Sequence, residues 1–245
     1  MNRFTVSTRF RRALPGIAKL STYASSMLLL GIASLIIIPE MISVEGGRAW
    51  GSIAVGQAWG AVGAIIIAYG WHVSGPALVA QGDASSRRRE FVDSLVLKSL
   101  LVVPVSAASG AASMLFVSQR ADLAAAGAVS TAAVGLTASW FFVGVSRPFQ
   151  LLWAETVPRV LGTLVGIVAM RLGAQAMTGL MCQLGGMLAA VVISSALILA
   201  ELPVERPRLR QRSPREILVR QVHGLGASVA STAYISAPVV LVSVF

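Results

Sequence analysis

The sequence predicts an all-α protein built as a polytopic transmembrane helical bundle. Three observations predict it. The 245 residues are 56% hydrophobic and only 12% charged, with mean hydropathy +0.77, whereas a soluble domain carries about 25% charged residues. The apolar residues gather in runs of about twenty, enough at 1.5 Å per residue to cross roughly 30 Å of hydrocarbon. The basic residues sit in clusters between those runs. An ordinary soluble enzyme, a disordered chain and a nucleic-acid-binding domain are excluded by this pattern, despite the net charge of +10.

The elements follow in order. Residues 1–14 form a basic segment with Arg3, Arg9, Arg11 and Arg12. The apolar run after it, Gly16 to Ile38, is too long for the core of a cleaved signal peptide and predicts a first span. Further spans are predicted at Trp50–Trp71, Ser94–Val117 (with Pro104), Leu123–Val145, Val157–Gln175 and Gly179–Ala200. Together these make a six-helix bundle over residues 15–200. Residues 201–216, with Pro203, Pro207 and Pro214 among arginines, read as an extended cytoplasmic linker suited to anionic headgroups. A seventh span begins near Ile217 and is apolar through Phe245.

Charge placement predicts the orientation. With the N-terminus inside, Arg48, Arg120 and Arg171 lie outside and the other 17 of the 20 cations lie inside. That asymmetry matches the positive-inside rule and supports a multi-pass protein of the plasma membrane. The single Cys182 excludes an intramolecular disulfide, and His72 and His223 share no short ligand motif. No metal, no cofactor and no enzymatic activity are expected. All ten acidic residues are expected in loops or at helix ends, which disfavours a pump relying on a membrane-buried carboxylate and a hydrolase using an acidic pair. No Gly-rich Lys-Ser/Thr phosphate loop is present.

Polar residues inside the spans are the candidate functional groups. Lys19 and Lys98 read either as side chains snorkelling to the headgroups or as part of a cationic cavity. Gln57 and Gln183 lie within spans. The pairs Gly56/Gly60 and Gly162/Gly166 are spaced for close helix approach, either as plain packing or as sliding surfaces.

Several segments then resemble a known family. They are Ile36-Ile37-Ile38-Pro39 through Val44-Glu45-Gly46-Gly47-Arg48-Ala49-Trp50-Gly51, the helix start Ser52 to Ala58 with Gln57, and the Gln81-Gly82-Asp83 turn before Arg87, Arg88 and Arg89. The most specific is Ser139-Trp140-Phe141-Phe142-Val143-Gly144, followed by Arg147-Pro148 and a helix with Arg159. Together they resemble the N-terminal half of the polysaccharide flippases of O-antigen and teichoic-acid export, within the multidrug/oligosaccharidyl-lipid/polysaccharide exporter superfamily. The resemblance runs from about Ser21 to Phe245 and implies one lobe of a two-lobe transporter fold. It implies a lipid-linked oligosaccharide, a polyprenyl diphosphate sugar, moved from the inner to the outer leaflet. It also implies a cationic cavity, and Lys19, Gln57, Lys98 and Arg159 are its candidate lining residues by position and charge. Trp140 and Phe141 read alternatively as interfacial anchors.

Such flippases have two similar halves. Here Arg210 to Arg220 precede Ser231-Thr232-Ala233-Tyr234 much as Arg9 to Arg12 precede Ser21-Thr22-Tyr23-Ala24, as if a second repeat began. A truncated chain is therefore expected, its second lobe supplied by another polypeptide, with membrane lipids and the lipid-linked sugar as its other partners. Two rival readings are a multidrug-type exporter of the same superfamily, which needs an acidic cation site, and a non-transporting membrane subunit or fragment.

Overall fold

Lipid offers no partner for a free backbone N–H or C=O, so apolar sequence at membrane depth must close its hydrogen bonds within each segment. The computed structural model describes residues 4–202 and positions 215, 216, 218, 219, 222 and 226, and the described residues form helices and no strand. In order these are α1 (Phe4–Glu45), α2 (Gly47–Ala68), α3 (Trp71–Gln81), α4 (Ala84–Leu115), α5 (Ala121–Ala132), α6 (Ser139–Gly144), α7 (Pro148–Leu151), α8 (Val157–Arg171) and α9 (Ala176–Glu201). A 3₁₀ turn, Ala133–Leu136, follows α5, and a π turn, Leu152–Thr156, joins α7 to α8.

These helices make six elements long and apolar enough to cross a membrane: Ala18–Glu45, Gly47–Gln81, Ala84–Leu115, Ala121–Gly144, Pro148–Arg171 and Ala176–Glu201. The chain is a multi-pass all-α membrane protein. The linker expected at 201–216 and the seventh span expected at 217–245 lie largely outside the described residues. The first helix runs from Phe4 without a break at residue 14.

Four spans differ from the sequence expectation, the fifth by starting at Pro148 and not at Val157. The second is kinked: α2 stops where Tyr69 and Gly70 turn left-handed at φ 45° and 79°, and α3 resumes with Pro76 inside it. The third starts ten residues early, because the Asp83 carboxylate accepts from the Ser86 N–H at 2.9 Å and caps α4. Arg87–Arg89 therefore belong to a helix and not to a loop. Arg87 donates to the Val79 carbonyl at 2.7 Å, and Arg88 donates to the Leu199 and Leu202 carbonyls at 3.1 and 2.9 Å. These arginines close the C-terminal carbonyls of α3 and α9. The fourth span is broken, as described below.

The glycines set the closest contacts. α2 packs on α5 with Gly56 against the Ala124 carbonyl and Gly60 against the Ala128 carbonyl. In return a Cβ on Gly127 would lie 2.9 Å from the Ile53 carbonyl oxygen. α8 meets α9 the same way, since a Cβ on Gly162 would lie 2.6 Å from the Cys182 carbonyl oxygen. Both glycine pairs thus occupy backbone-to-backbone contacts, the packing use of small residues in membranes.

The two ends of the bundle differ in charge. At the end where α1 meets α2, Arg120 pairs with Glu45 and Asp122, and Arg171 pairs with Glu40. At the opposite end Arg147 pairs with Glu201, beside the Gly82–Asp83 turn and the Arg88 cap.

Candidate functional site

The fourth span reads as one apolar run, yet it breaks in the middle. After α5 the 3₁₀ turn ends at Thr137, whose ψ swings to 145°, and α6 starts only at Ser139. A break releases backbone groups that lipid cannot satisfy. Two buried charged side chains take them. Lys98 on α4 donates from Nζ to the Thr137 carbonyl at 2.7 Å. Glu155 in the π turn accepts the Ala138 N–H at 2.5 Å through Oε1. Both side chains are fully buried, at 1% and 2% exposure. The ammonium thus closes the carbonyl end of the break and the carboxylate closes the N–H end, each matching the sign of the dipole it meets.

Aromatic packing holds the far side of this break. Trp140 and Phe141 are buried in a cluster with Trp71 and Phe91, with ring centroids 5.1 Å apart for Trp71–Trp140 and 5.6 Å for Phe91–Phe141. They are core residues here, not interfacial anchors. Tyr23 of α1 donates to the Phe142 carbonyl at 3.2 Å, and Leu218 packs on the same cluster.

On the other side of Glu155 the chain opens a cavity of about 630 Å³ between α1, α2, α5, α8 and α9. Its apolar wall is Leu30 to Ile38 of α1 and Met187 of α9. Its polar wall is Gln57, Ser130, Thr131, Arg159, Thr163 and Gln183. By their positions in the helices these residues lie from mid-bundle toward the end that carries Glu45 and Arg171. Arg159 stands one helical turn beyond Glu155, and the carboxylate interacts with it as well as with Lys98. Among the described residues Arg159 makes neither a salt bridge nor a side-chain hydrogen bond. Two cations therefore share one carboxylate, and the guanidinium facing the cavity is left partly uncompensated. A cation at membrane depth without a full counter-charge is costly and favours an anionic ligand.

The four residues singled out in the sequence separate in space. Gln57 and Arg159 line the same cavity, together with Gln183. Lys98 lies outside it, buried against the helix break, so it neither snorkels nor lines the cavity. Lys19 is exposed on α1, about 16 Å along the helix axis from the first cavity residue, Leu30. Arg159, counted on the cytoplasmic side at the start of the expected fifth span, lies deeper, near the middle of a span that begins at Pro148.

The acidic residues also require correction. Glu90 and Asp93 lie within α4 and Glu155 within the fifth span, all three buried. They were expected outside the spans because the third and fifth elements start earlier than hydropathy suggested. The signal was present for Glu155, since Arg147-Pro148 places proline at a helix's first turn, seven residues before it.

No family model, curated protein or solved structure matches this chain. The functional reading therefore rests on the cavity and on the helix break beside it.

Proposed function

We propose that this chain is a membrane transport protein that binds and translocates a lipid-linked oligosaccharide, a polyprenyl diphosphate sugar, across the plasma membrane, with its N-terminus cytoplasmic. The observation that carries the reading is Arg159, a guanidinium facing a cavity between helices with less than one carboxylate to balance it. A diphosphate supplies the missing charge in the geometry that a guanidinium fork binds best. Gln57, Gln183 and Thr131 add neutral donors and acceptors suited to sugar hydroxyls, and the apolar α1 wall suits the first isoprene units. A broken span beside the cavity agrees with transport, because discontinuous helices in membranes gather at sites of passage. The resemblance of Ser139–Gly144 and its neighbours to the polysaccharide flippases points the same way.

The multidrug reading needs a carboxylate free to bind a cation. Glu155, in the π turn that leads into α8, is the buried acid nearest Arg159 along the chain, and it is already held by the Ala138 N–H between two cations. The test is a binding measurement on the chain in lipid nanodiscs with three probes. They are farnesyl-diphosphate-linked N-acetylglucosamine, the same sugar on an uncharged farnesyl ether, and tetraphenylphosphonium. The proposal expects saturable binding of the first alone. Binding of the phosphonium without the diphosphate supports a drug exporter, and binding of none supports a membrane subunit without transport function.

A further inference from the structure

The charges around the helix break suggest how the cavity answers to its ligand. Glu155 faces Lys98 from α4, Arg159 from its own span, the Ser194 hydroxyl from α9 and the Ala138 N–H from the break. From α1, Tyr23 has its hydroxyl engaged by the Phe142 carbonyl. The empty site therefore holds two cations and one anion in a shared low-dielectric region. A ligand with a single negative charge at Arg159 would balance it. A diphosphate diester, as in a polyprenyl diphosphate sugar, carries two negative charges and overshoots by one.

We propose that binding of a doubly charged diphosphate diester at Arg159 draws one proton onto Glu155. This rests on the headgroup reading of the cavity and adds its coupling to protons. A hydronium ion or buffer acid in the surrounding water gives up the proton, breaking its own bond to hydrogen, and an O–H bond forms on the Glu155 carboxyl; no other bond changes. The cluster then holds two cations against the two ligand charges. A protonated carboxyl keeps a carbonyl oxygen that accepts the Ala138 N–H, so the helix break stays closed at that end while the charge changes. The ligand and the proton sit on adjacent turns of one helix, close enough for direct electrostatic linkage. Linkage is reciprocal, so ligand affinity must fall as pH rises wherever binding takes up a proton, by up to about tenfold per pH unit.

Titration calorimetry on the full chain in nanodiscs tests this, with farnesyl-diphosphate-linked N-acetylglucosamine as the probe. Both phosphoryl groups of that diester are strong acids, so the probe brings no proton of its own. Binding is measured near pH 7 in two buffers with different heats of ionisation. The expected uptake is close to one proton per bound ligand in the native chain and close to zero in Glu155→Gln, whose amide oxygen still accepts the Ala138 N–H. Infrared difference spectra of the native chain provide a second readout that needs no variant: ligand addition should produce the carbonyl band of a protonated carboxylic acid. Binding without proton uptake, or without that band, overturns the proton coupling and leaves the headgroup reading intact. Proton uptake that persists unchanged in a folded Glu155→Gln also overturns it. Absence of binding overturns both.

Discussion

Lys98 donates to the Thr137 carbonyl at 2.7 Å from a buried position, and this contact closes one side of a break in the fourth span. A lysine on α4 is thus part of the backbone hydrogen bonding of another helix. Substituting Lys98→Met should leave the Thr137 carbonyl unsatisfied and Glu155 short of a counter-charge, at a cost of about 3 kcal/mol. Glu155→Gln, which keeps an acceptor for the Ala138 N–H, should cost less. The double variant should be less destabilised than the sum by at least about 1 kcal/mol, because each loss removes the other's imbalance. Thermal unfolding of the four proteins in one detergent gives these differences, and strict additivity would mean that the two charges do not interact.

Helix packing makes a sharp contrast between two glycines. Gly56 sits against the Ala124 carbonyl, while a Cβ on Gly185 meets nothing within 4 Å. Gly56→Leu should force α2 from α5 and abolish a monodisperse elution profile. Gly185→Ala should raise stability by about 0.5–1 kcal/mol through helix propensity alone.

The class of fold was legible in the sequence because crossing lipid imposes length and hydropathy on every span. The interior of the spans was not. Ala132 to Leu136 is apolar and Thr137 is a residue that helices in membranes readily carry, so the run gives no sign of the break, whose cause lies in Lys98 and Glu155 on other spans. Glu155 was assigned to a loop because the π turn and the early start at Pro148 shift the helix toward the N-terminus. Arg159 was expected at the cytoplasmic start of the fifth span, and the early start at Pro148 moves it to mid-span. Gln57 and Gln183, deep within their runs, were placed inside spans from sequence alone.

The orientation can be read with a sided reporter. One inserted after Gly82, in the turn before the Asp83 cap, should be active only in the cytoplasm. One inserted after Ser118, at the end where Arg120 pairs with Glu45, should be active only outside. Exchanged activities would reverse the charge argument.

Asp83 gives a dependence on pH at the Gly82–Asp83 turn. Its carboxyl is held below the usual carboxylate range by the Ser86 N–H and then by the Ser85 hydroxyl. A lowered folded-state value means that the stabilisation is present above the unfolded value near 3.8 and is lost as pH falls through the folded one. Amide exchange in the first turn of α4 should therefore accelerate below about pH 4 relative to the middle of the helix. In Asp83→Ala the first-turn exchange should be fast at every pH.

Arg159 is the proposed anchor for a diphosphate headgroup. The most direct test of that role is the affinity of farnesyl-diphosphate-linked N-acetylglucosamine for the native chain, Arg159→Gln and Arg159→Lys in the same nanodiscs, with thermal stability recorded alongside. A charge-assisted contact of this kind is worth about 1.5–3 kcal/mol, so Arg159→Gln should weaken binding about 10- to 100-fold with little change in stability. Arg159→Lys should recover part of the loss, since it restores the charge without the fork. Equal affinity in the native chain and Arg159→Gln would contradict the account and move the headgroup, if it binds at all, away from this cavity.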